Sequence, residues 1–160
     1  MDINFLALLV AALATVAVWF IWYHPKVFGA IWRKESGVTP DKMKGSNMAS
    51  TLVVSFIYAF LIAFVLRFLT VHQTGALGMV GGDASIAKPS YDAFMEDYGM
   101  AFRTFKHGAL HGFMAGLFLA IPVIGTNALN ERRNFKYTLI TGGYWTVCFM
   151  IMGGIVCAWK

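Results

Sequence analysis

Hydrophobic positions in this chain fall in long unbroken runs and do not alternate with polar ones. Four runs stand out, at residues 3–23, 48–70, 107–126 and 137–159. None carries an internal charge except the second, which is uncharged until Arg67. About 20 apolar residues in a helix cross a hydrocarbon layer about 30 Å thick, and each run reaches that length. A strand of a membrane barrel would need only about 10 residues and would alternate. Backbone groups in lipid must be paired within the segment, which leaves helices. The pattern predicts one all-α domain over residues 1–160, an integral membrane bundle of four transmembrane helices. The first run contains Ala12-Leu13-Ala14, a cleavage-like triplet, but it follows Asp2 with no Lys or Arg and continues to Tyr23. A signal h-region is shorter and follows positive charge, so a retained helix is expected.

The polar stretches between the runs have patterns of their own. In the first loop, Pro25 can open a short helix, and Val27, Phe28, Ile31 and Trp32 share one side while Lys26, Arg33 and Lys34 fall elsewhere. That is a basic amphipathic interfacial helix, stopped by Gly37. Thr39-Pro40-Asp41 reads as a fresh helix start, and Ser46 or Asn47 as the cap of the second span. In the second loop, residues 74–87 are rich in Gly and small residues and read as irregular. Ser90 is expected to cap an amphipathic stretch in which Phe94, Tyr98, Ala101 and Phe105 recur at helical spacing. Asn127 follows Gly125-Thr126, where the third helix is expected to end.

Composition agrees. The chain is 58% hydrophobic and only 13% charged, about half the charge of a soluble domain. It has too few charges to cover a soluble surface and too much apolar surface for disorder. Of the two cysteines, Cys148 and Cys157 stand half a helical turn out of phase and about 13 Å apart along the axis, so they are expected as free thiols. Lys26, Arg33, Lys34, Lys42, Lys44, Arg132, Arg133 and Lys136 lie in loops one and three; Arg67, Lys88, Arg103, Lys106 and Lys160 lie on the other side with Asp2, Asp83, Asp92, Glu96 and Asp97. Short loops rich in Lys and Arg stay in the cytoplasm, which puts both termini outside. The net charge of +5 suits anionic lipids at the cytoplasmic loops. It does not suggest nucleic acid, because no basic patch is interleaved with base-stacking residues on a soluble module.

Small residues suggest how the helices meet. Gly108, Gly112 and Gly116 stand four apart, with Thr104 and Ala120 extending the row. Helices in lipid associate through close backbone approach, and Ala7/Ala11, Gly142/Gly143 and Gly153/Gly154 are the expected mates. Packing within the chain is the favoured reading, a homo-oligomer the other. Pro122 should bend the third span, Arg67 should snorkel to the surface, and Ser55, Tyr58, Thr141, Tyr144 and Thr146 are candidates for bonds across helices.

The candidate chemistry is sparse. His107 and His111 lie one turn apart at one end of the third span, and His72 ends the second span on the same side. With Glu96 nearby, these residue types suit Zn²⁺ or another divalent ion, and less well a haem. Ordinary hydrogen-bonded packing is the competing and preferred reading, so no cofactor is expected. Asn127, Arg132, Arg133 and Lys136 crowd loop three as a tight turn or as a lipid-headgroup or anion site. No span holds a carboxylate of the kind that couples transport to ions. No nucleophile elbow, phosphate loop or dinucleotide fingerprint is present, so no enzymatic activity is expected.

The opening "MDINFLALLVAALA" with "WYHPKVFGAIWRKESGVT", and the closing "GFMAGLFLAIPVIGTNALNERRNFKYTLITGGYWTVCFMIMGGIVCAW", resemble the bacterial membrane family named domain of unknown function 1761. The matching positions are the turn from Trp22 to Pro25, the Asn127/Glu131/Arg132/Arg133 turn and the Gly153-Gly154 end. The resemblance implies four spans and a bacterial inner membrane, and transfers no activity. The favoured function is a non-enzymatic bundle acting as scaffold, accessory subunit or homo-oligomer. A small-solute or ion channel or carrier, and a metal- or haem-binding protein, are the alternatives.

Overall fold

The computed structural model describes residues 3–44 and 47–159; Asp2, Ser46 and Lys160, used above, lie outside the described residues. The described residues are helical, with no strand among them. Four helices are long and apolar enough to cross a membrane: α1 (Phe5–Trp22), α4 (Met48–Thr70), the continuous helix Phe105–Asn130, and α9 (Phe135–Ala158). They fit a multi-pass membrane protein. The short helices α2 (Ala30–Ser36), α3 (Pro40–Lys44), α5 (Gln73–Met79) and α6 (Pro89–Tyr98) fill the first and second loops.

The long helices start where the sequence supplies an acceptor for orphan N–H groups. The Asn4 side chain accepts from Ala7 N, Asn47 from Ser50 N, Thr104 from His107 N, and Asn134 from Lys136 N and Tyr137 N. The third span runs as α7 (Phe105–Ala115), a π-helical turn (Gly116–Ala120) and α8 (Ile121–Asn130). The expected ends at His107 and Thr126 are therefore corrected outward. Pro122 does not end the helix, because the wide turn before it has already displaced the hydrogen-bond ladder and the missing donor falls in the first turn of α8. The true end is a Schellman arrangement: Arg133 N bonds Ala128 O at 2.7 Å and Arg132 N bonds Leu129 O at 3.0 Å. Arg132, at φ 55, takes the left-handed position that usually goes to glycine.

The core lies on α9. Half of its apolar stretch is buried, against 22–28% for the other three spans. Leu8, Ala11 and Ala12 of α1, Ala59, Ala63 and Leu66 of α4, and Ala115 of α7 pack on Tyr144, Cys148, Met152 and Val156 of α9. Ala7 and Ala11 thus serve the core and not the glycine row. The opposite flanks carry Leu6, Leu13, Ile21, Val53, Ile57, Leu61, Val65, Phe118 and Val123 in the open, a costly arrangement in water and an ordinary one in lipid. Of the polar side chains expected to bond across helices, Tyr144 does so, donating to Thr15 O at 3.2 Å. Thr146 bonds its own helix at Gly142 O, Tyr58 is exposed, and Thr141 Oγ1 is buried without a partner. Arg67 does not snorkel; it is buried, with its guanidinium 5.7 Å from the Phe68 ring centre.

Loop one folds as expected in outline. A π turn (Pro25–Gly29) leads into α2, which ends at Gly37 with φ 65. Gly29 is required there, because a Cβ would stand 1.9 Å from Tyr23 O. The expected four-residue apolar side is split. Phe28 packs on Trp22 at 4.6 Å and Trp32 on Tyr23 at 5.1 Å, while Val27 and Ile31 remain exposed. Loop two is more ordered than expected. Residues 74–87 contain most of α5 and a 3-10 turn (Ala84–Ile86). Helix α6 starts at Pro89 with no capping side chain, so Ser90 is not its cap. The Phe94–Phe105 periodicity does not form one helix face, since the chain breaks between α6 and α7 and Phe102 adopts φ 61.

Candidate functional site

Three imidazoles meet where α4, α5 and α7 come together. Helix α4 ends at Thr70, and the fully buried Val71 turns the chain so that His72 opens α5. The segment is pinned on both sides. The Cys157 thiol of α9 donates to Thr70 O at 3.3 Å, and the buried Gln73 side chain donates through Nε2 to Tyr98 O and Ala101 O at 2.8 and 2.9 Å. Those last bonds bring the end of α6 beside His72. Thr104 then caps α7 and fixes its first turn, and the one-turn spacing stacks His107 over His111.

The resulting group is tight. His72 Nε2 lies 2.9 Å from His107 Nε2, a hydrogen bond whose direction depends on the tautomers. Ring centres are 4.9 Å apart for His72–His107, 5.0 Å for His72–His111 and 4.5 Å for His107–His111. One ligand nitrogen from each histidine lies within 4.8 Å of those of the other two. Phe102 stacks on His107 at 5.0 Å and stands edge-on to His72 at 6.3 Å. His72 is exposed and the other two are half-buried. The contact between Nε2 atoms leaves no slot for a planar macrocycle between the rings, so the geometry disfavours a haem. Glu96 is exposed on α6 and outside the group.

The glycine row lies against α9 in antiparallel order. A Cβ on Gly108 would stand 2.1 Å from Gly153 O, one on Gly112 2.0 Å from Phe149 O, and one on Gly116 2.5 Å from Thr146 Cα. Gly153 meets Gly108 O and Gly112 Cα in return, and Gly154 meets the Phe105 ring. Ala120 is half-buried in the π turn, and Thr104 is a cap and no part of the row. Cys148 and Cys157 are buried free thiols.

At the opposite end, the loop-three residues divide. Arg133 is turned into the protein: it donates to Ser36 O, lies 3.4 Å from Glu131 Oε2 and covers the Tyr137 ring at 5.9 Å. Asn127, Arg132 and Lys136 are exposed. Asn134 Nδ2 donates to Glu35 Oε2, so loops one and three are joined.

Sequence reasoning missed four residues that build the histidine site: Gln73, Phe102, Arg103 and Cys157. Arg103 donates to Cys157 O at 2.8 Å and Trp159 O at 2.6 Å, closing the end of α9 beside the site. The hydrogen bonds of Gln73, Arg103 and Cys157 join positions 25–87 residues apart, and no local spacing encodes them.

The sequence profile of the family described as Protein of unknown function (DUF1761) matches residues 6–157, and the chain belongs to that family. No curated protein and no solved structure matches it.

Proposed function

We propose that this DUF1761 member is a multi-pass module of a bacterial cytoplasmic membrane, acting as a scaffold or accessory subunit without covalent chemistry of its own. The observation that carries the reading is the partition of its surface. Side-chain bonds between elements gather toward the two ends of the bundle, while the flanks of α1, α4 and α7 between them expose Leu, Val, Ile and Phe. Those flanks suit acyl chains or further membrane helices. The sequence supports the non-enzymatic part, since it carries no catalytic motif. Loops one and three hold the exposed Lys26, Arg33, Lys34, Lys42, Lys44, Arg132 and Lys136, a charge set that favours an anionic leaflet. Val27 and Ile31 of the loop-one helix are exposed beside those charges, as in helices that lie in the headgroup layer. This orientation places both termini outside.

The test is carbonate extraction of membranes, followed by labelling of Lys34→Cys and Asp92→Cys proteins with a membrane-impermeant maleimide in intact spheroplasts. The expected result is retention in the membrane, with labelling at Asp92→Cys and protection at Lys34→Cys. Release into the carbonate supernatant would overturn the membrane reading, and the reverse labelling would overturn the orientation.

A further inference from the structure

The histidine group has chemistry that neither the bundle nor the bilayer uses. We propose that His72, His107 and His111 form a binding site for one divalent transition-metal ion of the zinc, copper or nickel class. The site comes from two separate parts of the fold, the α4–α5 junction and the first two turns of α7, so it exists only in the folded chain.

Three observations carry the proposal. First, the ligand atoms are already gathered. Three imidazole nitrogens at about 2.0–2.1 Å from a tetrahedral ion stand about 3.3 Å apart. Here each ring offers a nitrogen within 4.8 Å of the others, one pair at 2.9 Å. Side-chain rotations that move these nitrogens by an ångström or so reach that geometry, with α7 staying seated on α9. Second, the group does not satisfy itself. One Nε2–Nε2 bond joins His72 and His107, and no carboxylate or thiol belongs to the cluster to orient the rings. Third, the backbone that carries His72 is pinned, by the Cys157 thiol at Thr70 O and by Gln73 Nε2 at Tyr98 O and Ala101 O, so the ring is presented to α7 by the folded chain.

The ligand set also selects the ion. Imidazoles suit Zn²⁺, Cu²⁺ and Ni²⁺, whereas Ca²⁺ and Mg²⁺ demand oxygen ligands. Three protein ligands leave one position open, the arrangement of sites that bind a small ligand or activate water. Phe102, whose ring lies against His107 and His72, shields one side. Its left-handed backbone is unfavourable for a bulky residue and is held by Thr104 N, which donates to Phe102 O, and by the Cys157 thiol, whose single S–H is shared between Thr70 O and Phe102 O.

The experiment uses the full chain, purified in detergent, stripped with a chelator and titrated with ZnCl₂ by calorimetry and elemental analysis. The expected result is one Zn²⁺ per chain, unaffected by a thousandfold excess of Mg²⁺ or Ca²⁺, with a rise in Tm on loading. His107→Ala and His111→Ala should each weaken binding at least 100-fold, whereas Glu96→Gln and His24→Ala should leave it unchanged. X-ray absorption on the loaded wild-type protein gives a readout independent of variant folding, and should show nitrogen ligation of the imidazole type. Failure to bind Zn²⁺, Cu²⁺ or Ni²⁺ saturably at micromolar concentration would overturn the proposal. So would sulfur ligation, or binding unchanged by the histidine substitutions. None of these outcomes bears on membrane retention, so the site can fail while the membrane reading stands.

Discussion

At the loop-one end of the bundle, side-chain donors meet acceptors from distant parts of the chain. Trp22 Nε1 donates to Ile140 O at 3.0 Å, Arg133 donates to Ser36 O, and Asn134 donates to Glu35. Phe28 and Trp32 pack on Trp22 and Tyr23, and among the described residues Trp32 Nε1 and Thr141 Oγ1 are buried there without a partner. The loop-two end begins in the same way, with Gln73 and Arg103 reaching backbone carbonyls. It then adds three imidazoles whose nearest polar contact is one another. Donors aimed at Ser36 O, Tyr98 O and Cys157 O complete a fold, because these carbonyls lie at helix ends that the ladder leaves open. Three rings that bear lone pairs share one hydrogen bond among them, and that is the place proposed above for a metal ion.

Substitutions can break or sharpen this contrast. The largest effect belongs to the seam that carries both ends. In Gly112→Ala the new methyl would stand 2.0 Å from a backbone oxygen, Phe149 O, and neither helix can yield locally. A loss of about 3 kcal/mol is expected, the upper end for overpacked sites, seen as a large drop in Tm in lipid nanodiscs. In Gly154→Ala the methyl meets the Phe105 ring at 2.6 Å, a side chain that can swing away, so a loss of about 1 kcal/mol is expected. Equal melting of the two variants would show that the backbone seam is not special.

Arg103→Met tests the loop-two end. It removes two charge-assisted bonds to the last carbonyls of α9. About 2 kcal/mol should be lost, with earlier hydrogen exchange at the end of α9 than at its start. Uniform exchange along α9 would contradict a local role. Trp22→Phe tests the loop-one end. The ring packing survives, the bond to Ile140 O does not, and about 1 kcal/mol should be lost, with faster proteolysis in loop one as the readout. Arg132→Gly should go the other way. It relieves a left-handed arginine at φ 55, and a gain of up to about 1 kcal/mol is expected. A lower Tm would mean that the Arg132 side chain contributes more than its backbone costs.

The sequence by itself determined the class of the molecule and the material of its spans. Twenty-residue apolar runs have one low-energy arrangement in a bilayer, and the cap at Asn47, the stop at Gly37 and the small residues at Gly108, Gly112 and Gly116 act through neighbours in the chain or through their own lack of volume. Local pattern failed where the chain turns back on itself. The break at Phe102 shows no signal, because a left-handed phenylalanine runs against propensity and is held by Thr104 and Cys157. The third helix runs past the stop that Gly125-Thr126 suggests, to Asn130, and the π turn that carries it through Pro122 leaves no mark in the local pattern. Which helix becomes the centre was equally hidden. Hydrophobicity does not point to it, since α9 is the least apolar of the four spans, and α9 takes the core because it faces α1, α4 and α7 together. Only tertiary structure could bring His72 against His107 and His111, since 35 residues separate the nearest pair across the two helices and the bonds of Gln73 and Cys157 to distant carbonyls fix their meeting.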